Sequence, residues 1–239
     1  MDTQVTKGIL YYTNNKLDDK IFKAVQKQLL TIGLPIVSVS LKPIDFGQNI
    51  VMDLPTGLVT LTKQILKGLK TITTDLVFFA ECDVLYNQSH FKIEPGRKDT
   101  FYYNNNILRW DYPKDRFVSF KAQVALLGMC AYRTLLLSHY TQKLKYITDK
   151  GFDNRDGDSG WMRYIGHEPG KSVKAGGLSN DPRITWQSEY PLIDIRHDQT
   201  LTRRLVDRSE FKRTPSNWKE ITKNELPEYN DQINHILHG

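Results

Sequence analysis

Apolar residues along this chain change their spacing several times, and each change marks an element. Gly8 to Thr13 (Gly-Ile-Leu-Tyr-Tyr-Thr) has the aromatic and β-branched content of a strand. Asn14-Asn15 breaks it, and either asparagine is placed to cap the helix that follows. From Asp18, the residues Ile21, Val25, Leu29 and Ile32 fall at helical spacing, with Asp18 and Asp19 where the helix dipole favours acids. Gly33 ends that helix. Pro35 to Ile44 alternates apolar and polar residues, a second strand, and this strand–helix–strand opening predicts a right-handed parallel crossover. Asp45 to Pro55, with Gly47, Asn49 and Asp53, reads as a loop. A second helix runs from about Thr56, with Leu58, Leu61, Ile65, Leu69 and Ile72 on one face. The stretch around which the rest is organised comes next. Leu76 to Ala80 is an unbroken apolar run, the pattern of a strand buried on both faces of a parallel sheet. It ends in Glu81-Cys82-Asp83, which puts two carboxylates at the carboxyl end of a parallel strand, where open α/β sheets bind ligands. A polar turn with solvated acids would leave the same trace.

The second half is richer in strands and loops. Thr100 to Trp110 has the pattern of a hairpin turning at Asn104 to Asn106. Val118 to Leu127 reads as a further strand leading into Gly128, and a helix is expected from Ala131 to Ile147. Gly128 would then leave bare backbone at a helix start, open to an anionic or sugar ligand, unless it is a simple turn glycine. Asp153 to Gly160 is an acid-rich loop opening a short helix, in which Asp158 or Ser159 could serve as the cap. Its spacing does not fit an EF-hand, because no Glu stands where that loop must close. Residues 166 to 183 form a long irregular segment. Ile193 to Asp198 is strand-like and ends in a polar cluster containing His197, which could equally be a satisfied surface or core group. A closing helix is expected from Tyr229 to Leu237. With no internal repeat or clear linker, residues 1–200 read as one domain and residues 201–239 as a basic, helical arm packed on it.

Composition narrows the function classes only modestly. A chain of 239 residues, 39% hydrophobic and 25% charged, is an ordinary globular protein with a substantial core. No apolar run approaches the roughly 18 residues of a membrane span, and no signal-peptide pattern opens the sequence. The two cysteines, Cys82 and Cys130, lie far apart in apolar runs, so free thiols in a reducing, cytoplasmic setting are expected. A net charge of +6 admits an anionic partner such as a nucleotide, a nucleic acid or a membrane surface. The first strand is not followed by Gly-x-Gly-x-x-Gly, and the chain contains no Gly-x-x-x-x-Gly-Lys-Ser/Thr, which argues against a dinucleotide dehydrogenase or a P-loop enzyme.

Taken in chain order, Glu81-Cys82-Asp83, Leu127-Gly128-Met129, Asp156-Gly157-Asp158 and His197 resemble the four motifs of nucleotide-sugar-dependent glycosyltransferases of the GT-A fold. The resemblance covers about residues 8 to 200 and rests on order and spacing. It implies an α/β, Rossmann-like domain with a mostly parallel central sheet flanked by helices. It also implies a UDP-sugar donor and an Mn²⁺ or Mg²⁺ cofactor. In that family the first motif is Asp-x-Asp and holds the metal and the donor diphosphate, whereas here it is Glu-x-Asp. Asp83 and His197 then become the expected metal ligands, with Glu81 on the metal, its water or the ribose. Thr13 and Asn14 would hold the nucleoside and Gly128 would shape the donor pocket. The family's acidic helix-start motif supplies the catalytic base; Gly157 stands here where relatives have Glu, so the base is Asp158 or, failing that, Asp156. The implied activity is hexosyl transfer with inversion to a hydroxyl of a glycan, a lipid-linked sugar or a protein.

Two alternatives stay open. The cluster Arg203, Arg204, Arg208, Lys212 and Arg213, near Trp218, has the charge and aromatic content of a phosphate-backbone contact, which would suit glycosylation of hydroxymethylated bases in DNA. Asp207 and Glu210 are interspersed with it, as on an ordinary solvated face. A nucleotidyltransferase also uses carboxylates after a parallel strand, but usually brings a Gly-rich, Lys/Arg-containing loop where this chain has Tyr-Tyr-Thr-Asn-Asn. A non-catalytic nucleic-acid-binding module would not need the acid pair at all.

Overall fold

The computed structural model describes residues 4–120, 124–153, 166–170, 182–200, 203–213, 215 and 217–238. Strand β1 (Lys7–Thr13), helix α1 (Asp19–Leu30), β2 (Ile36–Ser40), β3 (Gln48–Val51), α2 (Leu58–Thr71) and β4 (Leu76–Glu81) build the first half. β1 lies between β2 and β4 and is parallel to both, so the expected crossovers form. Helix α1 is capped by neither asparagine. Asn15 sits in the left-handed region at φ 59, and its Oδ1 accepts from the Leu41 and Lys42 amides, which binds it to the chain leaving β2. Asn14 Oδ1 accepts from Lys16 N, and the cap falls to Asp18, whose carboxylate accepts from Lys20 N at 2.8 Å. The segment expected as a loop contains β3, an edge strand parallel to β2. Its apolar signal is weak because Asn49 points its amide at the buried hydroxyls of Ser38 and Ser40, 3.0 and 2.9 Å away.

Beyond β4 come β5 (Val84–Leu85), β6 (Phe101–Asn104), β7 (Ile107–Trp110), β8 (Phe117–Ser119), β9 (Met129–Tyr132), α3 (Arg133–Asp149), β10 (Arg183–Trp186), β11 (Leu192–Ile195), β12 (Lys219–Ile221) and α4 (Asn230–His238). The main sheet has the order β10-β6-β9-β4-β1-β2-β3, in which β9 alone runs against the others. The second has the order β12-β8-β7-β11-β5. The expected hairpin is therefore absent, since β6 and β7 belong to different sheets. The Asn104 carboxamide explains it: Nδ2 donates to Ser188 Oγ at 2.7 Å, while Oδ1 accepts from Ser188 N and Asn106 N. The turn is thus pinned to a distant segment instead of closing on itself. The single strand expected over Val118 to Leu127 is also absent: β8 is short, and Leu126–Gly128 is a 3-10 turn.

β1 shows how the core is divided. Ile9 and Tyr11 face a cluster with Ile21, Val25 and Leu29 of α1, whereas Leu10 and Tyr12 face Ile65 and Leu69 of α2 and Leu136 and Tyr140 of α3. β4 has the same division and is fully buried from Leu76 to Ala80, each large side chain contributing roughly 1.5–3 kcal/mol. The result is a mostly parallel sheet with helices on both faces, as expected. From the C-terminal residues, β12 pairs with β8, and Ile233 and Ile236 of α4 join the cluster around α1. Among the described residues, no helix is long and apolar enough to cross a membrane.

Candidate functional site

The parallel strands β1, β2 and β4 end at one edge of the main sheet, and a cleft of about 450 Å³ opens there. Tyr12, Thr13 and Asn14 leave β1 into its wall, Leu41 follows β2, and Glu81, Cys82 and Asp83 leave β4. The start of α2 and residues Arg196, His197 and Thr200 close the other sides. Within the wall, the buried amide of Gln64 donates to the carbonyls of Thr13 (2.9 Å) and Val39 (3.2 Å), so α2 fixes two strand ends at once. A polar residue on the buried face of α2 was the available sequence signal for this role.

The two acids of β4 have different surroundings. Glu81 accepts from the Tyr12 hydroxyl at 2.9 Å, and its own amide donates to the Tyr86 hydroxyl. Burial, reinforced by the charge of Asp83, pushes its carboxyl up to about 8. Asp83 turns instead toward β11, where its Oδ2 lies 3.3 Å from Nε2 of His197. The Gln199 amide donates to Nδ1 of that ring, which places the ring hydrogen on Nε2, facing Asp83. Burial also raises the Cys82 thiol, which keeps it protonated.

The geometry around Asp83 and His197 fits a small divalent cation in part. Oxygen and nitrogen donors 3.3 Å apart suit an ion bound about 2.1 Å from each. Among the described residues, no group of three or more His, Cys, Asp or Glu side chains gathers to hold a metal. A cation here would complete its shell with water and substrate phosphate, as Mg²⁺ commonly does. Coordination through Nε2 requires the ring hydrogen to move to Nδ1, which breaks the Gln199 contact.

A second cleft, of about 550 Å³, adjoins the first. Glu81, His167, Glu168 and Arg196 line both. Its floor is a buried ion cluster: Arg196 Nη1 lies 3.1 Å from each oxygen of Asp194, and Arg109 Nε lies 3.5 Å from the same carboxylate. Burial raises Asp194 and lowers Arg109 to about 10. The segment dividing the clefts is held from behind, where Tyr103 donates to Pro169 O at 2.6 Å and the buried Lys143 ammonium donates to His167 O at 3.0 Å. Sequence reasoning missed Arg109, Lys143, Asp194 and Arg196.

Of the residues singled out from sequence, Thr13, Asn14, Glu81, Asp83 and His197 come together in the first cleft. Gly128 does not join them. It lines neither cleft and leads into β9 rather than a helix, and an added Cβ would lie 2.4 Å from the Asn104 carbonyl oxygen, so its glycine serves close packing. Asp156 and Asp158 lie outside the described residues. In the basic arm, Arg204 pairs with Asp111 at 2.7 Å, Arg203 donates to the Glu210 carbonyl, and Arg208 lies over Trp218. Lys212 and Arg213 are exposed.

No protein-family model matches the chain, and no curated protein sequence matches it. Among solved structures it is similar to several glycosyltransferases. One is involved in glycosylation of the major capsid of PBCV-1, with 8% identity and TM-score 0.43 over 79% of this chain and 93% of that one. Another is apo GlyE of Streptococcus pneumoniae TIGR4, with 12% identity and TM-score 0.37 over 61% of this chain and 39% of that one. A third is S. aureus TarS 1-349 in complex with UDP-GlcNAc, with 12% identity and TM-score 0.44 over 82% of this chain and 60% of that one.

Proposed function

We propose that this protein is a metal-dependent glycosyltransferase that moves a hexosyl group from a UDP-sugar to an acceptor hydroxyl, with inversion. The observation that carries the proposal is the Asp83–His197 pair, 3.3 Å apart in a cleft at the carboxyl ends of parallel strands. Thr13 and Asn14 hold the nucleoside, and Asp83 and His197 hold Mn²⁺ or Mg²⁺ against the donor diphosphate. When bound, that cation neutralises charge developing on the leaving diphosphate. Glu81, held in place by the Tyr12 hydroxyl that donates to it, faces the ribose or a metal-bound water. Asp158, with Asp156 the alternative, accepts the proton of the acceptor hydroxyl, a role that typically contributes ~10²–10⁴-fold.

The test is a panel of nucleotide sugars, UDP-GlcNAc among them, with and without Mn²⁺, read by thermal stabilisation and by slow donor hydrolysis. A UDP-sugar should stabilise the protein only with the cation present. Asp83→Ala should lower turnover by about 10²-fold or more, the range found when one preorganised charge-stabilising group is lost. If no nucleotide sugar binds and Asp83→Ala changes nothing, the proposal is wrong.

A further inference from the structure

The main sheet carries helices on both faces, and the two sides differ in charge. Helix α2 bears Lys63, Lys67 and Lys70, which the helical repeat places within about 60° of one another around the axis, turned away from the buried Ile65, Leu66 and Leu69. Lys67 and Lys70 are exposed, Lys63 is half-buried, and the three line neither cleft. The helix contains no acid from Leu58 to Thr71, and among the described residues none of its three lysines enters an ion pair. Of the acids flanking it, Asp53 is exposed, and Asp75 accepts from the amide and hydroxyl of Thr6. Helix α3 packs on the same face of the sheet, with Leu136 and Tyr140 in one cluster with Ile65 and Leu69. It adds a Lys145–Asp149 pair and, just past its end, the exposed Lys150. On the other face, α1 also presents three exposed lysines, Lys20, Lys23 and Lys27. There, however, Asp18 and Asp19 open the helix, Asp19 pairs with Lys23 at 3.6 Å, and α4 beside it adds Asp231. The cations of the α2 side have no such matching acids among the described residues.

We propose that this α2 face docks on an anionic membrane surface. Lysines are compact charges on flexible stems, and they suit a fluid layer of headgroups that offers anionic groups in no fixed arrangement. A nucleic acid is the poorer fit, because α2 has neither an arginine to fork onto a phosphate nor an aromatic ring on which a base could stack. The same helix ties the face to the site. Leu58, with Thr56 and Gly57 before it, lines the first cleft, and Lys63 lies about 8 Å further along the axis. A bilayer held against the lysines is therefore close to that cleft, where, on the transferase reading, a lipid-linked acceptor would arrive. The docking itself stands whether or not the donor chemistry does.

Vesicle flotation of the full chain tests this, comparing phosphatidylcholine alone with phosphatidylcholine containing about one third phosphatidylserine, at about 0.1 M salt. The protein should float with the anionic vesicles and not with the neutral ones, and binding should weaken as salt rises. The triple variant Lys63→Gln, Lys67→Gln, Lys70→Gln should bind about tenfold or more weaker, since each lysine near such a surface contributes about fivefold. Gln matches Lys in helix propensity, so the fold should hold, and a urea midpoint checks it. Lys67→Gln alone, with a loss of about fivefold, carries the test if the triple variant does not fold. The matched variant Lys20→Gln, Lys23→Gln, Lys27→Gln removes the same charge from the other face of the sheet. Its binding should stay within about twofold of wild type, because charges more than a Debye length from the bilayer are screened. Equal losses in the two triple variants overturn the proposal, as does failure to bind the anionic vesicles. A short DNA duplex that binds more tightly than the vesicles at equal anionic charge, through the same three lysines, overturns it too. UDP-sugar stabilisation, measured without vesicles and unchanged in the α2 variant, reports separately on the donor reading.

Discussion

At the scale of single residues, the first cleft was legible because its acids interrupt an apolar strand. Glu81 and Asp83 follow five buried apolar positions, and no core requirement explains carboxylates there. The Arg109–Asp194–Arg196 cluster was hidden for the opposite reason. Arg109 and Asp194 each stand between apolar neighbours, as an exposed strand residue would, and become buried only when β7 and β11 pair with Asp194 opposite Arg109. Gly128 was misread because glycine before a presumed helix has several uses, and the contact that demands it, the Asn104 carbonyl, is distant in sequence. Gly128→Ala should therefore destabilise the fold by roughly 1–3 kcal/mol through overpacking against backbone, as measured by urea unfolding. UDP-sugar affinity at low temperature should change little, since Gly128 lines neither cleft.

Among the elements, α1, α2, β1, β2 and β4 were readable from periodicity because each buries a face at its own spacing. β3 escaped because its contact with β2 runs through Asn49 and two serine hydroxyls rather than apolar side chains. The false hairpin had the right strands and turn residues, but side-chain bonds from Asn104 and Asn106 to Ser188 decide where the strands go. Local sequence does not contain that partner. α4 was expected and forms, and its value lies in what it covers. Ile233 and Ile236 are each 1% exposed and pack with α1. Ile236→Ala should cost about 2–5 kcal/mol in denaturant unfolding. A loss below about 1 kcal/mol would mean that α4 is a loosely held appendage rather than part of the core.

At the scale of the whole molecule, acid should be a stronger stress than the mild net charge suggests. His90 and His139 are buried, and burial lowers each to about 3. Both ring nitrogens of His139 and Nε2 of His90 have no hydrogen-bond partner among the described residues. A depressed folded-state pKa gives stability that is present above the unfolded value, near 6.5, and is lost as pH falls toward 3. By about pH 5, each histidine should have removed roughly 2 kcal/mol, at 1.36 kcal/mol per unit. Urea midpoints at pH 7 and 5 measure the loss, and His139→Leu should remove about half of that slope if the two rings dominate it. The position of β11 has a different consequence, one of timing. It lies between β7 and β5, so the second sheet cannot close until residue 195 has been synthesised. The β1–β4 framework draws its parallel pairings from the first 81 residues and has no such wait. Pairings across long stretches of chain form slowly, so on the ribosome the strand ends carrying Thr13, Glu81 and Asp83 precede the arrival of Arg196 and His197. A nascent chain would carry one half of the site long before the other.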